Sequence, residues 1–233
     1  MTPNELIFDI REKLKEYVDD TKFTDSYLLY QIDKNREVMI RQQYNNIQRP
    51  IDEQLIQTVI LPLTEIDAKE TGASEPSYET IMRTTVALPS IVELHHRNML
   101  ERVATIGKQD RPINVLSRKR FLYAGYGDYD KDQIFCYMDE AGYIFITSTG
   151  GEELNYEEIA VSVVMSRPLD QLNYTSGQSG RNLDSFRYPL NMHMAEVVTD
   201  IIVQKLANIK VLPSDDSNDS GDDATLIDRQ LNG

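Results

Sequence analysis

The sequence predicts an α+β protein in which N- and C-terminal helices form a small bundle around an inserted antiparallel β-rich module. Apolar residues recur every three or four positions near both ends, whereas short β-branched and aromatic runs fill the middle. An Asp-rich stretch follows the last helix pattern. The predicted units are a helical hairpin (1–50), a β-rich insertion (51–172), a linker with the last helix (173–212) and an extended acidic interaction tail (213–233).

Charge and cysteine content restrict the class of protein. The 233 residues carry a net charge of -14, which argues against a protein that wraps phosphate backbones with clustered Lys and Arg. This charge is compatible with a DNA duplex that passes close to the protein without being bound. The single cysteine, Cys136, allows no disulfide framework and is expected to be a small buried hydrophobe in a strand. The start shows no secretory signal pattern, so a reducing, aqueous compartment is expected.

The first helix is predicted to begin near the first residue. Thr2, Pro3 and Glu5 form a capping box with proline at the first helical position. We expect the helix to end at 19–21 and to form a hairpin with the next helix. Its expected apolar stripe consists of Leu6, Ile10, Leu14 and Tyr17.

The second helix is predicted over 24–44, with Thr24 as its cap. Arg36 falls on the same stripe as Ile32 and Ile40. Because a buried guanidinium is costly unless paired, this face is expected to meet something polar, either an acidic neighbour in the same chain or another subunit. The alternative is an arginine that extends out of an ordinary core face.

The middle of the chain is predicted to contain short antiparallel strands. The clearest signal is at 133–147, where two aromatic and β-branched runs flank a turn containing Gly142 and predict a hairpin. A short helix turning into a strand is expected at 51–63. Further strand candidates are 80–88, 103–106, 115–123 and 159–165.

The last helix is predicted over 191–209, with Asn191 as its cap and Pro213 as its stop. The following segment cannot bury enough apolar surface to fold alone, and we expect it to become ordered only against a neighbouring chain. The residues expected to bind there are Asp215, Asp216, Asp219, Asp222, Asp223, Leu226 and Ile227.

The sequence contains one strongly basic cluster, Arg118, Lys119 and Arg120. In so acidic a chain, this cluster can bind an acidic partner surface or the Asp-rich tail of a neighbour, as readily as it can contact phosphate. The alternative is a solvated strand end.

No catalytic or metal motif is found. His95, His96 and His193 lack metal-binding spacing, and 128–139 departs from a calcium loop at Gln133 and Asp139. No nucleophile, base and orienting group occur at suggestive spacing. The sequence therefore predicts an interaction protein without cofactor or metal, rather than an enzyme.

The order of parts is similar to that of the neck proteins of tailed phages. An amphipathic first helix, the sequence Thr-Asp-Ser-Tyr-Leu-Leu-Tyr-Gln-Ile-Asp-Lys-Asn-Arg at 24–36, Arg-Pro-Ile-Asp at 49–52, Tyr-Pro-Leu at 188–190 and an Asp/Asn/Ser tail resemble the ring or head-to-tail adaptor proteins of crAss-like podoviruses. The chain departs from relatives at 165–168, where Met-Ser-Arg-Pro replaces an acidic pattern.

The resemblance implies a virion protein, made in the bacterial host cytoplasm, that forms a homo-oligomeric, twelve-fold ring in the neck. Its implied partners are the portal protein and other neck or tail ring proteins, with DNA passing through the channel without sequence-specific binding. Contact with a membrane is not implied. The alternative is a soluble bacterial adaptor or regulatory module without catalytic activity, which stoichiometry would distinguish.

Overall fold

A closed β-barrel is the central element of the fold in the computed structural model. The structure describes residues 1–17, 23–45, 50–67, 69, 80–95, 99–106, 111–122, 124, 133–148, 156–174 and 185–211. The described strands are β1 (Gln57–Asp67), β2 (Thr80–Thr84), β3 (Leu100–Thr105), β4 (Pro112–Val115), β5 (Ile134–Met138), β6 (Ile144–Ser148) and β7 (Glu158–Val163). They close in the order β1-β2-β6-β5-β4-β3-β7.

Three long helices and one short one accompany the strands in the described chain. They are α1 (Pro3–Lys15), α2 (Asp25–Tyr44), α3 (Arg118–Phe121) and α4 (Met192–Val211). Short 3-10 helices lie at Glu53–Leu55 and Pro168–Asn173. Helix α4 packs on both α1 and α2.

Two features close the barrel. The first half of the 11-residue strand β1 pairs with β7 and the second half with β2, so one strand serves two sheets. Strands β4 and β5 pair in parallel, and the intervening segment 116–133, which contains α3, is long enough for the crossover that a parallel pair requires. The other described pairs are antiparallel.

Side chains fill the barrel interior because alternate residues of each strand point inward. Strands β5 and β6 are buried on both faces, and α3 packs on β5. There, the ring of Tyr137 packs between Phe121 and Phe145, with centroids 4.5 and 4.9 Å apart. The interior residues include Val59, Leu61, Val103, Ile113, Ile134, Cys136, Ile144, Ile146, Ile159, Val161 and Val163.

A separate core joins the helices to one end of the barrel. Leu14, Ile32 and Ile202 are buried in it. Leu55, close to the start of β1, and Val164, after β7, belong to the same cluster. The helices therefore form a layer that is packed on the barrel rather than a fold of their own.

The prediction of a terminal helical bundle with an inserted antiparallel module is wrong. The described strands close into a seven-stranded barrel with its own core, and the β4–β5 pair is parallel. The stretch predicted as a strand at 115–123 is also different, because α3 occupies 118–121. The sequence shows the aromatic and β-branched character of this stretch, but Phe121 packs onto the barrel from a helical turn.

The predictions made from short sequence motifs were more reliable than the prediction of the overall fold. The Thr2 capping box is present, with the Glu5 amide donating to Thr2 Oγ1 at 3.3 Å and the Thr2 amide donating to the Glu5 carboxylate at 2.8 Å. Thr24 caps α2, and the Met194 amide donates to Asn191 Oδ1 at 2.8 Å. The β5–β6 hairpin is confirmed. Tyr17, expected on the buried stripe of α1, is instead 63% exposed after the helix end.

Candidate interaction surfaces

Arg36 lies inside the chain with none of its side-chain surface exposed. Its Nε donates to the Pro189 carbonyl at 3.0 Å, and its Nη1 donates to the Met165 carbonyl at 2.7 Å. The guanidinium carbon lies 6.0 Å from the centroid of the Tyr188 ring. The alternative of an arginine that extends into solvent is therefore wrong, and the polar groups it meets belong to the same chain.

Asp33 completes this buried polar network, one turn before Arg36 on α2. The Tyr188 hydroxyl donates to its carboxylate. Burial raises the pKa of Asp33 despite that bond and the nearby charge of Arg36, and burial likewise raises the pKa of Tyr188 and lowers that of Arg36. The network links α2 to the segment before α4 and to the residues just after β7. Its geometry is therefore that of a structural contact between distant segments.

The basic cluster of Arg118, Lys119 and Arg120 is exposed on α3. The next residue, Phe121, is fully buried in the aromatic stack with Tyr137. One helical turn therefore holds three consecutive cations on the outer wall of the barrel, with a buried ring at its base. This position differs from the solvated strand end considered as an alternative.

The tail residues predicted to bind a partner lie outside the described residues, and their role stays a prediction. They are Asp215, Asp216, Asp219, Asp222, Asp223, Leu226 and Ile227.

Exposed apolar side chains on the helices are a feature that the sequence reasoning missed. Phe8 on α1 is 62% exposed, and Tyr30 and Val38 on α2 are 49% and 46% exposed. Phe8 lies opposite the buried stripe of α1, while Tyr27, Tyr30 and Val38 share one outer side of α2 at helical spacing. A second apolar stripe at 27, 30 and 38 on the helical wheel of α2 would have revealed the exposed residues of that helix. Exposed apolar side chains that form one contiguous patch mark contact surfaces.

The residues considered for chemistry occupy ordinary positions. Cys136 is buried in β5, and burial raises the pKa of its thiol to about 12, as expected for a small buried hydrophobe. His95 and His193 are exposed, and His96 lies outside the described residues. The described residues include no group of three or more His, Cys, Asp or Glu side chains arranged to hold a metal ion.

None of the described helices is both long enough and apolar enough to cross a bilayer.

Comparison with known proteins gives two matches that cover nearly the whole chain. The family model described as "Phage tail ring protein 2" matches residues 5–224. The chain is also 23% identical over 226 residues to Ring protein 2 of Bacteroides phage crAss001, and the alignment covers 96% of this chain and 98% of that protein. The family match includes all seven described strands, helices α2 to α4 and α1 from its third residue.

Proposed function

The chain belongs to the phage tail ring protein 2 family, and from that membership we propose that it is the ring-forming head-to-tail adaptor of a tailed bacteriophage neck. In this role, twelve copies connect the portal to the tail around the DNA channel. The observation that carries the proposal is the family match across 5–224, because a match of this extent includes the barrel and the helices rather than one motif.

The closed barrel supports a particular mode of assembly. A closed barrel offers no unpaired strand edge to a neighbouring chain, so subunits must meet through side-chain surfaces or extended segments. The exposed Phe8, Tyr30 and Val38 side chains provide such a surface on the helical layer. Arg118, Lys119 and Arg120 provide a second surface of different chemistry on the barrel wall.

The net charge of the chain supports a position beside a channel through which DNA passes without being bound. At a net charge of -14, a ring of many copies repels phosphate instead of releasing counterions from it. DNA is therefore proposed to pass without sequence-specific contacts. The proposed protein partners are the portal and the adjoining neck or tail rings.

Particle stoichiometry tests the ring proposal. Quantitative mass spectrometry of purified virions is expected to give about twelve copies per particle, and native mass spectrometry of the isolated assembly a mass close to twelve 26.8 kDa chains. A reconstruction of the neck is expected to place the ring between portal and tail. A different closed ring would correct the copy number, whereas one copy per particle would overturn the proposal.

We also propose that the role is structural, without catalytic turnover or a tightly held metal. No workable nucleophile or ligand spacing was found in the sequence, and ring subunits act by contact. Elemental analysis of the purified chain is expected to show less than stoichiometric transition metal. One equivalent retained through gel filtration would contradict this part of the proposal.

A further inference from the structure

A ring built from one kind of subunit needs two different, complementary surfaces on the same chain, because each copy contacts its neighbours head to tail. This requirement rests on the proposed ring function. The basic cluster, Arg118, Lys119 and Arg120, fits one such surface, since it is an exposed run of consecutive cations on an otherwise acidic chain.

The structure holds the base of the basic cluster in place. Phe121 is fully buried, its ring centroid lies 4.5 Å from that of Tyr137, and Tyr137 stacks in turn on Phe145 at 4.9 Å. The Phe121 amide donates to the Ser117 carbonyl at 2.9 Å, which closes the turn. A backbone fixed in this way loses less conformational entropy when its side chains bind a partner.

The chain also carries a segment whose charge is opposite to that of the basic cluster. Residues 214–223 read Ser-Asp-Asp-Ser-Asn-Asp-Ser-Gly-Asp-Asp, with no Lys or Arg. Carboxylates form charge-assisted hydrogen bonds with guanidinium and ammonium groups, and arginine can bind them in a bidentate manner. A segment this acidic gains most from a site where several cations are adjacent.

The two features originate on different parts of the subunit. The segment follows α4, which packs in the helical layer against α1 and α2, whereas α3 packs on the outer face of β5 and belongs to a separate aromatic core. Complementary charges on separate parts of one chain suit contact between neighbouring copies. We propose that residues 214–223 of one subunit bind Arg118, Lys119 and Arg120 of the next subunit in the ring.

Two charge-reversed variants test this contact. The cluster variant carries Arg118→Glu, Lys119→Glu and Arg120→Glu, and the tail variant carries Lys in place of Asp215, Asp216, Asp219, Asp222 and Asp223. Each variant alone opposes like charges, so the concentration for half-assembly is expected to rise about tenfold or more by analytical ultracentrifugation. The wild-type ring should weaken in the same direction as salt is raised from 0.15 to about 1 M.

Mixing the two variants distinguishes neighbour contact from contact within one chain. In an alternating ring, the acidic tail of the cluster variant meets a basic cluster, and the basic tail of the tail variant meets an acidic one. The equimolar mixture is therefore expected to assemble at a concentration at which neither variant does alone. If only the chain carrying both sets of substitutions recovers, each tail binds its own subunit, and the proposal is overturned.

Two controls separate this contact from general charge effects. Lys34→Glu, Lys69→Glu and Arg187→Glu remove the same charge from other exposed positions, and a loss as large as that of the cluster variant would refute the specific contact. Replacing Asp128, Asp130 and Asp132 with Asn removes the acids that follow the cluster in sequence, and assembly should remain. A wild-type chain that stays monomeric refutes the ring itself, whereas a ring unaffected by both reversals refutes only this contact.

Discussion

At the scale of single residues, Arg36 connects distant segments of the described fold. A fully buried guanidinium is tolerated here because two of its nitrogens donate to the Pro189 and Met165 carbonyls, and Asp33 supplies a nearby opposite charge. Its Nη2 has no hydrogen-bond partner among the described residues. The residue thus satisfies buried backbone acceptors from two segments at once, which is a structural role.

Replacing Arg36 should be strongly destabilising. Arg36→Met leaves two buried carbonyls without donors and Asp33 without its cation, so we expect a loss of about 2–4 kcal/mol in the free energy of unfolding. Urea denaturation measures this loss. The matched change Lys34→Met, at an exposed position of the same helix, should stay within about 0.5 kcal/mol. A loss below about 1 kcal/mol for Arg36→Met would contradict the structural role.

Asp33 should make stability depend on pH. Its pKa in the folded state is raised above the ordinary value of 3.8 because burial disfavours the carboxylate. Between that value and the raised one, the folded state binds more protons than the unfolded state, so stability falls as pH rises through this window. Urea denaturation of the wild type and Asp33→Asn between pH 4 and 7 is expected to show the wild type losing stability relative to the variant. Parallel pH curves would argue against this cause.

At the scale of secondary structure, the β5–β6 hairpin depends on one glycine. Gly142 has a φ of 87°, its amide donates to the Asp139 carbonyl at 3.1 Å, and its carbonyl accepts from the Leu88 amide at 2.9 Å. A Cβ at this position would lie 3.1 Å from the Leu88 carbonyl oxygen. Both the left-handed backbone and the close approach of a second segment therefore require glycine.

Substitution of this glycine should destabilise the hairpin. Gly142→Ala places a Cβ in the left-handed region and against Leu88, and we expect a loss of about 1–2 kcal/mol in unfolding free energy. Thermal or urea denaturation measures it. Ala141→Ser, at the exposed neighbouring position, is the control and should change stability by less than about 0.5 kcal/mol. Equal losses of unfolding free energy for Gly142→Ala and Ala141→Ser would mean that the left-handed turn geometry at Gly142 does not determine the stability of the hairpin.

At the scale of the whole molecule, three cores organise the described part of the subunit and leave the outer helical surface available. The helix layer, the barrel interior and the aromatic cluster beneath α3 are separate buried clusters, while Phe8, Tyr30 and Val38 are exposed on the helices. Burying exposed apolar groups between subunits would favour assembly. The helical surface is thus a candidate for apolar contact, complementary to the charged contact proposed for α3.

Changes on this helical surface should separate assembly from folding. Phe8→Ser and Tyr30→Ser together are expected to raise the concentration for half-assembly about tenfold, as when an interface loses an anchor, while unfolding free energy changes by less than about 0.5 kcal/mol. Analytical ultracentrifugation and urea denaturation measure the two effects. Gln42→Ser, at an exposed polar position of α2, is the control. Unchanged assembly of the double variant would exclude these residues from the interface.

The sequence by itself determined the features that depend on short-range chemistry. The Thr2 and Thr24 caps, the turn of the β5–β6 hairpin at Gly142 and the cap at Asn191 each involve residues no more than a few positions apart. Such interactions are encoded locally, so they can be read without knowing the fold. The order of these parts also carried the family resemblance.

Only the tertiary structure decided how the parts meet. The acceptors of Arg36 lie 129 and 153 residues further along the chain, and barrel closure depends on the parallel β4–β5 pair and on a strand shared by two sheets. Neither leaves a local pattern, so the predicted bundle with an inserted antiparallel module was wrong. Strand pairing and burial are set by contacts between distant segments, because the free energy of a closed barrel is gained only when all its strands come together.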